Sequence, residues 1–164
     1  MKRKMYDQLL QGKNGKSGAT ALMIEGARRI GKSYIVEKFA ENEYESYILI
    51  DFSKAPARVR GWFDEYLEDI DTLLQNIQLH YKKKLTSRKS LIIFDEVQKC
   101  PRAREAIKAL VEDHRFDYIE TGSLISIKKN VDDILIPSEE DGIEMYPMDF
   151  EEFMWAMGDE VMYP

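Results

Sequence analysis

Cysteine is almost missing from this chain. Cys100 stands alone among 164 residues, so no internal disulfide can form, and a reducing setting such as the cytoplasm suits the sequence best. Histidine is nearly as scarce. His80, His114 and Cys100 have no ligand-spaced neighbours, so all three read as structural or surface residues rather than metal ligands. No apolar run approaches the roughly 18 residues that a membrane-spanning helix needs. The basic N-terminus MKRKMYDQLLQGKNGKS lacks the apolar segment of a secretory signal. An excess of positive charge is lacking too: the formal net charge is -6, which argues against general affinity for nucleic acid. The densest basic patch, Lys82-Lys83-Lys84 with Arg88 and Lys89, reads as a solvated helix end and loop, where lysines complement the helix dipole.

What is present suits one domain with one core, since the hydrophobic share of 44% is ordinary for a globular protein. Residues 3–11 predict a short leading helix, and the Gly-, Ser- and Lys-rich stretch Gly12 to Gly18 predicts a loop. Compact apolar runs predict strands at Thr20–Glu25, Ser46–Phe52, Ser90–Phe94 and Phe116–Glu120, with a fifth at Ile143–Met148. Helical spacing covers Ser33–Ala40. Between Trp62 and Tyr81, apolar residues recur every three or four positions, which predicts one long helix with a broad packing stripe. Pro101 opens a further helix, and Phe150–Met157 suits a short apolar one. In that last segment, Phe150 and Phe153 suit packing on the domain's own core, and Met154 and Met157 suit partial exposure. Strands alternating with helices imply an α/β fold whose parallel sheet is covered on both faces. In such sheets ligands bind beyond the carboxyl ends of the strands.

The tripeptide Gly-Lys-Ser occurs twice, at 15–17 and 31–33. A phosphate-binding loop needs an earlier glycine, in the pattern G-x-x-x-x-G-K-S/T. The second copy supplies it as Gly26-Ala27-Arg28-Arg29-Ile30-Gly31-Lys32-Ser33, with Tyr34 following. It also follows a strand and opens a helix. The first copy has Leu10 where the glycine should be and reads as a flexible basic loop. In the second copy the glycines permit a tight wrap of main-chain N–H groups around phosphates. Lys32 supplies a mobile cation for the terminal phosphates, and the Ser33 hydroxyl suits Mg²⁺. Residues 26–34 are therefore the expected nucleotide-binding segment.

Two acids close the third strand. Asp95 suits a metal partner opposite Ser33, and Glu96 suits a base that polarises an attacking water. Thr121 and Ser123, after the fourth strand, either orient that water or touch a terminal phosphate, or simply make a turn. No Asn-Lys-x-Asp element reads guanine, which leaves ATP as the nucleotide. No arginine-rich lid follows the loop, which disfavours a small-molecule kinase.

The blocks GARRIGKS, LIIFDEVQKCP, FDYIETGSL and MYPMDFEEFMWAMG resemble, in order, the N-terminal module of a bacterial and archaeal family of AAA-type ATPases. Its members usually read G-A-R-Q-V-G-K-T, F-L-D-E-I-Q, T-G-S-S and Y-P-L-S-F-E-E-F. The resemblance implies a three-layer P-loop sandwich with strand order 5-1-4-3-2. It places Thr121–Ser123 where these proteins carry a first sensor. It divides the chain into residues 1–18 (helix and loop), 19–158 (ATPase core) and 159–164 (a tail). It also implies a following helical region and a C-terminal domain similar to restriction endonucleases. Such proteins usually carry a trans-acting arginine after the sensor strand, and this sequence has no arginine beyond Arg115. That arginine is worth about 10³ to 10⁵ in rate. The expectation is thus a chain that binds Mg·ATP and hydrolyses it slowly alone, with possible homo-oligomers. The alternative is a nucleotide-gated switch without significant turnover. Arg28 or Arg29 can compensate partly for the arginine, whereas Arg102 and Arg104 read as surface salt pairs.

Overall fold

The computed structural model describes residues 4–16, 20–26, 31–123 and 140–145. The strands Ala21–Gly26 (β1), Ser46–Asp51 (β2), Ser90–Asp95 (β3) and Asp117–Ser123 (β4) form a parallel core in the order β2-β3-β4-β1. Glu140–Met145 (β5) pairs in parallel along the other side of β1. Ile48 faces Ile92, Ile93 faces Ile119, and Leu22 faces Ile119 from the other side of β4. All the strands run one way, so their carboxyl ends share one edge of the sheet.

Side chains alternate across each strand, and this splits the core into two layers. Leu22, Ile24, Leu91, Ile93 and Ile119 pack against the helices Lys4–Lys16 (α1) and Lys32–Glu43 (α2). Met23, Ile48, Ile92, Phe94 and Tyr118 face the opposite way. They meet Ala57–Glu65 (α3), Ile70–Tyr81 (α4), Pro101–Glu105 (α5) and Ile107–Asp113 (α6). Phe52, Phe63 and Phe94 meet edge-on there, with ring centroids 5.4 to 5.6 Å apart. The β3 strand is buried along its whole length, as its unbroken apolar run requires.

Several elements depart from the expected bounds. The leading helix does not stop at Gly12 but continues to Lys16. A Cβ added at Gly12 would lie 2.9 Å from Leu22 Cδ1. Glycine here serves the close approach of α1 to β1, where a larger residue would displace the Leu22 side chain, and not a loop. The long helix expected over 62–81 is two helices, α3 and α4, with a break at Tyr66–Asp69. Asp69 starts the second by accepting from the Thr72 N–H at 3.2 Å and the Thr72 hydroxyl at 2.7 Å. The apolar spacing persists through the break because Tyr66 and Leu67 also pack on the core. The helix opened by Pro101 divides at Ala106 into α5 and α6. The fourth strand continues through Thr121-Gly122-Ser123, all buried, which are strand residues and not a turn. The fifth strand lies three residues earlier than expected at each end. The helix expected at 150–157 lies outside the described residues.

Candidate functional site

Lys32 and Ser33 form the first turn of α2, just past β1. Gly31 precedes them with φ 92°, the left-handed region that a side chain would strain. Gly26 is the last residue of β1 and pairs with Ser123 of β4 and Met145 of β5. Ala27, Arg28, Arg29 and Ile30 lie outside the described residues. The Lys32 ammonium is buried and donates to the Gly26 carbonyl at 2.9 Å and the Gly122 carbonyl at 3.1 Å. A cation is thereby held across the carboxyl ends of β1 and β4. Tyr34 points outward, about half exposed.

Asp95 ends β3 and is buried. Its Oδ1 accepts the Ser33 hydroxyl at 2.8 Å and the Thr121 hydroxyl at 2.6 Å. Burial pushes its carboxyl above the usual range; the two hydroxyls oppose this, and the nearby Asp51 and Glu96 charges add to it. Asp51 ends β2 and sits directly opposite Asp95 in the sheet. The donor set at Ser33 and Asp95 is all oxygen, which suits a hard divalent ion such as Mg²⁺ that these two residues would hold.

Glu96 follows with φ 55° and ψ 49°, left-handed backbone that costs a non-glycine residue about 1–2 kcal/mol. Its N–H donates to the Thr121 hydroxyl at 3.0 Å. Thr121 therefore accepts from Glu96 and donates to Asp95, so its hydroxyl is committed to holding the β3 end. The Glu96 carboxylate accepts from Gln98 Nε2 at 2.5 Å. Gln98 lies in the 3₁₀ turn Val97–Lys99 that links β3 to α5. Ser123 is buried at the end of β4, in register with Gly26.

The structure thus gathers Gly26, Gly31, Lys32, Ser33, Asp95, Glu96, Thr121 and Ser123 at one edge of the sheet. Three participants were not singled out from sequence. The Gly122 carbonyl is main chain and leaves no side-chain signal. Gln98 is legible only as part of the Asp-Glu-x-Gln block. Asp51 ends the second apolar strand as Asp95 ends the third, and that parallel was the available signal. The first Gly-Lys-Ser stands apart, with Gly15 and Lys16 closing α1 and Ser17 outside the described residues.

Two arginines separate clearly. Arg102 is an exposed salt partner of Asp64 and Glu105, both at 3.1 Å. Arg104 is not a surface pair. It is buried and grips Glu140 of β5 with two bonds, at 3.0 and 2.6 Å. Beside this pair Glu120 of β4 is fully buried, and among the described residues neither of its carboxyl oxygens meets a donor. Burial, then the Glu140 charge, pushes the Glu120 carboxyl well up, and a retained proton turns Glu140 into its partner. A raised folded value means that stability is full below the unfolded value, about 4.3, and is lost as pH climbs through the folded one. Across that window wild type should lose about 1.4 kcal/mol per pH unit relative to Glu120→Gln, which keeps the shape and an N–H donor. Urea unfolding from pH 4 to 9 tests this, and parallel stability curves would remove the buried acid from the account.

Among the described residues no helix is long and apolar enough to cross a membrane. The model of a family described as AAA domain matches residues 19–154. No curated protein matches the chain. Among solved structures, C. elegans PCH-2 is similar with a TM-score of 0.46 and 15% identity, over 97% of this chain and 43% of that one. The chain spans less than half the length of that protein.

Proposed function

The chain belongs to the AAA domain family, and from that membership we propose that it binds ATP with Mg²⁺ at the edge formed by β1, β3 and β4 and hydrolyses it slowly. The observation that carries this reading is the 2.8 Å bond from Ser33 to Asp95. It joins the first turn after Gly-Lys to the acid ending β3, across 62 positions of sequence. In the proposed complex, main-chain N–H groups of residues 26–33 surround the phosphates at the positive end of α2. Lys32 leaves the Gly26 and Gly122 carbonyls for the terminal phosphates. Mg²⁺, when bound, neutralises phosphate charge and orients the terminal group. Ser33 and Asp95 hold it. Glu96 polarises the attacking water, and Ser123 lies at the strand end beside the loop. Thr121 keeps Asp95 and Glu96 in place. The P-loop sandwich with order 5-1-4-3-2 and a reducing, cytoplasmic setting belong to the same reading.

Slow turnover has its own support. Arg60, Arg102 and Arg104 are each tied within the fold, to carbonyls or carboxylates. An arginine that reaches the terminal phosphate would then come from Arg28 or Arg29, or from a neighbouring copy. The engaged arginines also favour the second reading, a switch in which ATP holds one conformation for a partner.

Calorimetric titration separates these readings. ATP should bind with micromolar affinity in the presence of Mg²⁺ and more weakly after chelation. Steady phosphate release, well below about 1 per second, supports the ATPase. Tight binding without release supports the switch. No heat and no competition at millimolar ATP would refute both.

A further inference from the structure

The opposite edge of the sheet, where β2, β3 and β4 begin, carries a second concentration of charge. Lys82, Lys83, Lys84 and Arg88 are exposed on the loop between α4 and β3. That loop is bonded to its neighbours. The Ser46 hydroxyl donates to the Lys84 carbonyl at 3.1 Å, and the Arg88 N–H donates to the Arg115 carbonyl at 2.6 Å. The Arg88 guanidinium reaches the His114 carbonyl at 3.1 Å. The loop and the turn before β4 therefore form one surface.

Two open grooves flank it. The first, about 720 Å³, is lined by Lys82, Lys83, Lys84 and Arg115, with Asp71 and the exposed Leu79. The second, about 460 Å³, is lined by Lys13, Asn14, Arg88, His114 and Asp117. The two acids in the grooves are already matched. Asp71 accepts from Arg115 at 2.5 Å, and Asp117 from Arg88 at 2.7 Å. Among the described residues no carboxylate pairs with Lys13, Lys82, Lys83 or Lys84. Lys83 Nζ lies 4.8 Å over the Tyr47 ring and Lys13 Nζ 5.2 Å over the Tyr44 ring. Such contacts orient a cation without neutralising it. A net charge of -6 averages over this segregation and conceals it.

We propose that this edge binds the phosphate backbone of a nucleic-acid strand. Two grooves in series, joined through Arg88 and Arg115, suit a ligand with repeated negative charge. Ammonium groups on flexible stems meet phosphates as point charges, without fixed geometry. Both arginines are already engaged with carboxylates, so the lysines carry the contact with the strand. The site lies across the sheet from the nucleotide site and stands independently of it.

Fluorescence anisotropy of the full chain with an oligothymidylate of about 20 nucleotides, from about 50 to 200 mM salt, tests the proposal. Binding should weaken steeply with salt, and the Lys82→Ala, Lys83→Ala, Lys84→Ala triple variant should lower the log–log slope by about 2, near 0.7 per lost phosphate contact. At the lowest salt it should bind at least about tenfold more weakly, with its melting temperature unchanged. Poly-glutamate of matched charge should compete poorly. The proposal is overturned by absence of oligonucleotide binding at the lowest salt, by equal competition from poly-glutamate, or by a triple variant that binds like wild type.

Discussion

Glu96→Gln is expected to lower ATP turnover by about 10²- to 10⁴-fold, the usual contribution of a positioned base, while leaving ATP affinity within a few-fold. The substitution is informative because so little else at this position should change. The Glu96 main chain is tied to Thr121 through its N–H, which any residue there retains. The left-handed backbone is strained equally in both proteins. Glutamine still offers a carbonyl oxygen to Gln98 Nε2, in place of the carboxylate oxygen now 2.5 Å away. What disappears is the negative charge that draws a proton from water. Phosphate release at saturating ATP, beside a binding isotherm, separates the two quantities. Equal turnover in both proteins would strip Glu96 of the base role and leave nucleotide binding standing. A large loss of affinity would instead mean that Glu96 shapes the pocket itself.

Legibility in the sequence followed range of interaction. The strand core LIIF is buried on both sides, and an unbroken apolar run records that directly, whereas in YILI at the sheet edge only Ile48 and Ile50 are buried and Tyr47 and Leu49 are partly so. The meeting of Ser33 and Asp95 was legible although they lie far apart, because each closes or follows a strand of a parallel sheet. Failures came where a distant contact overrode a local signal. Gly12 looked like a loop residue, yet its smallness serves the passage of α1 over Leu22. The 62–81 stripe looked continuous because packing outlasts the helix, and only Asp69 with Thr72 marks the restart. Thr121-Gly122-Ser123 has turn composition, but it pairs residue by residue with Ile24, Glu25 and Gly26. Arg104 offered no hint of burial because its partner Glu140 lies 36 residues away, on β5. The carbonyls that hold Lys32 could not be read at all, since every residue has one.

Lys32→Ala should cost ATP about 100-fold in affinity, near 2.8 kcal/mol, and this is the sharper test of the site. Two effects compete in the prediction. The first is structural: Lys32 now ties Gly26 and Gly122, so its loss frees two carbonyls at the ends of β1 and β4. Each net hydrogen bond is worth about 0.5–1.5 kcal/mol, or somewhat more from a charged donor. Those strand ends remain in register through the main-chain pairing of Glu25 with Gly122 and Gly26 with Ser123, which the side chain does not provide. The second effect is electrostatic: a nucleotide with three phosphates loses the buried cation held at the ends of β1 and β4. An ammonium against a phosphate at about 4 Å contributes up to about 4 kcal/mol at an effective dielectric of 20, before the cost of leaving the carbonyls is subtracted. The ligand effect should therefore exceed the structural one. Melting temperature without nucleotide should fall by only a few degrees, whereas stabilisation by added ATP should nearly vanish. If Lys32→Ala melts far lower yet still gains full stabilisation from ATP, the lysine is a tie between strands, and the phosphates lie elsewhere.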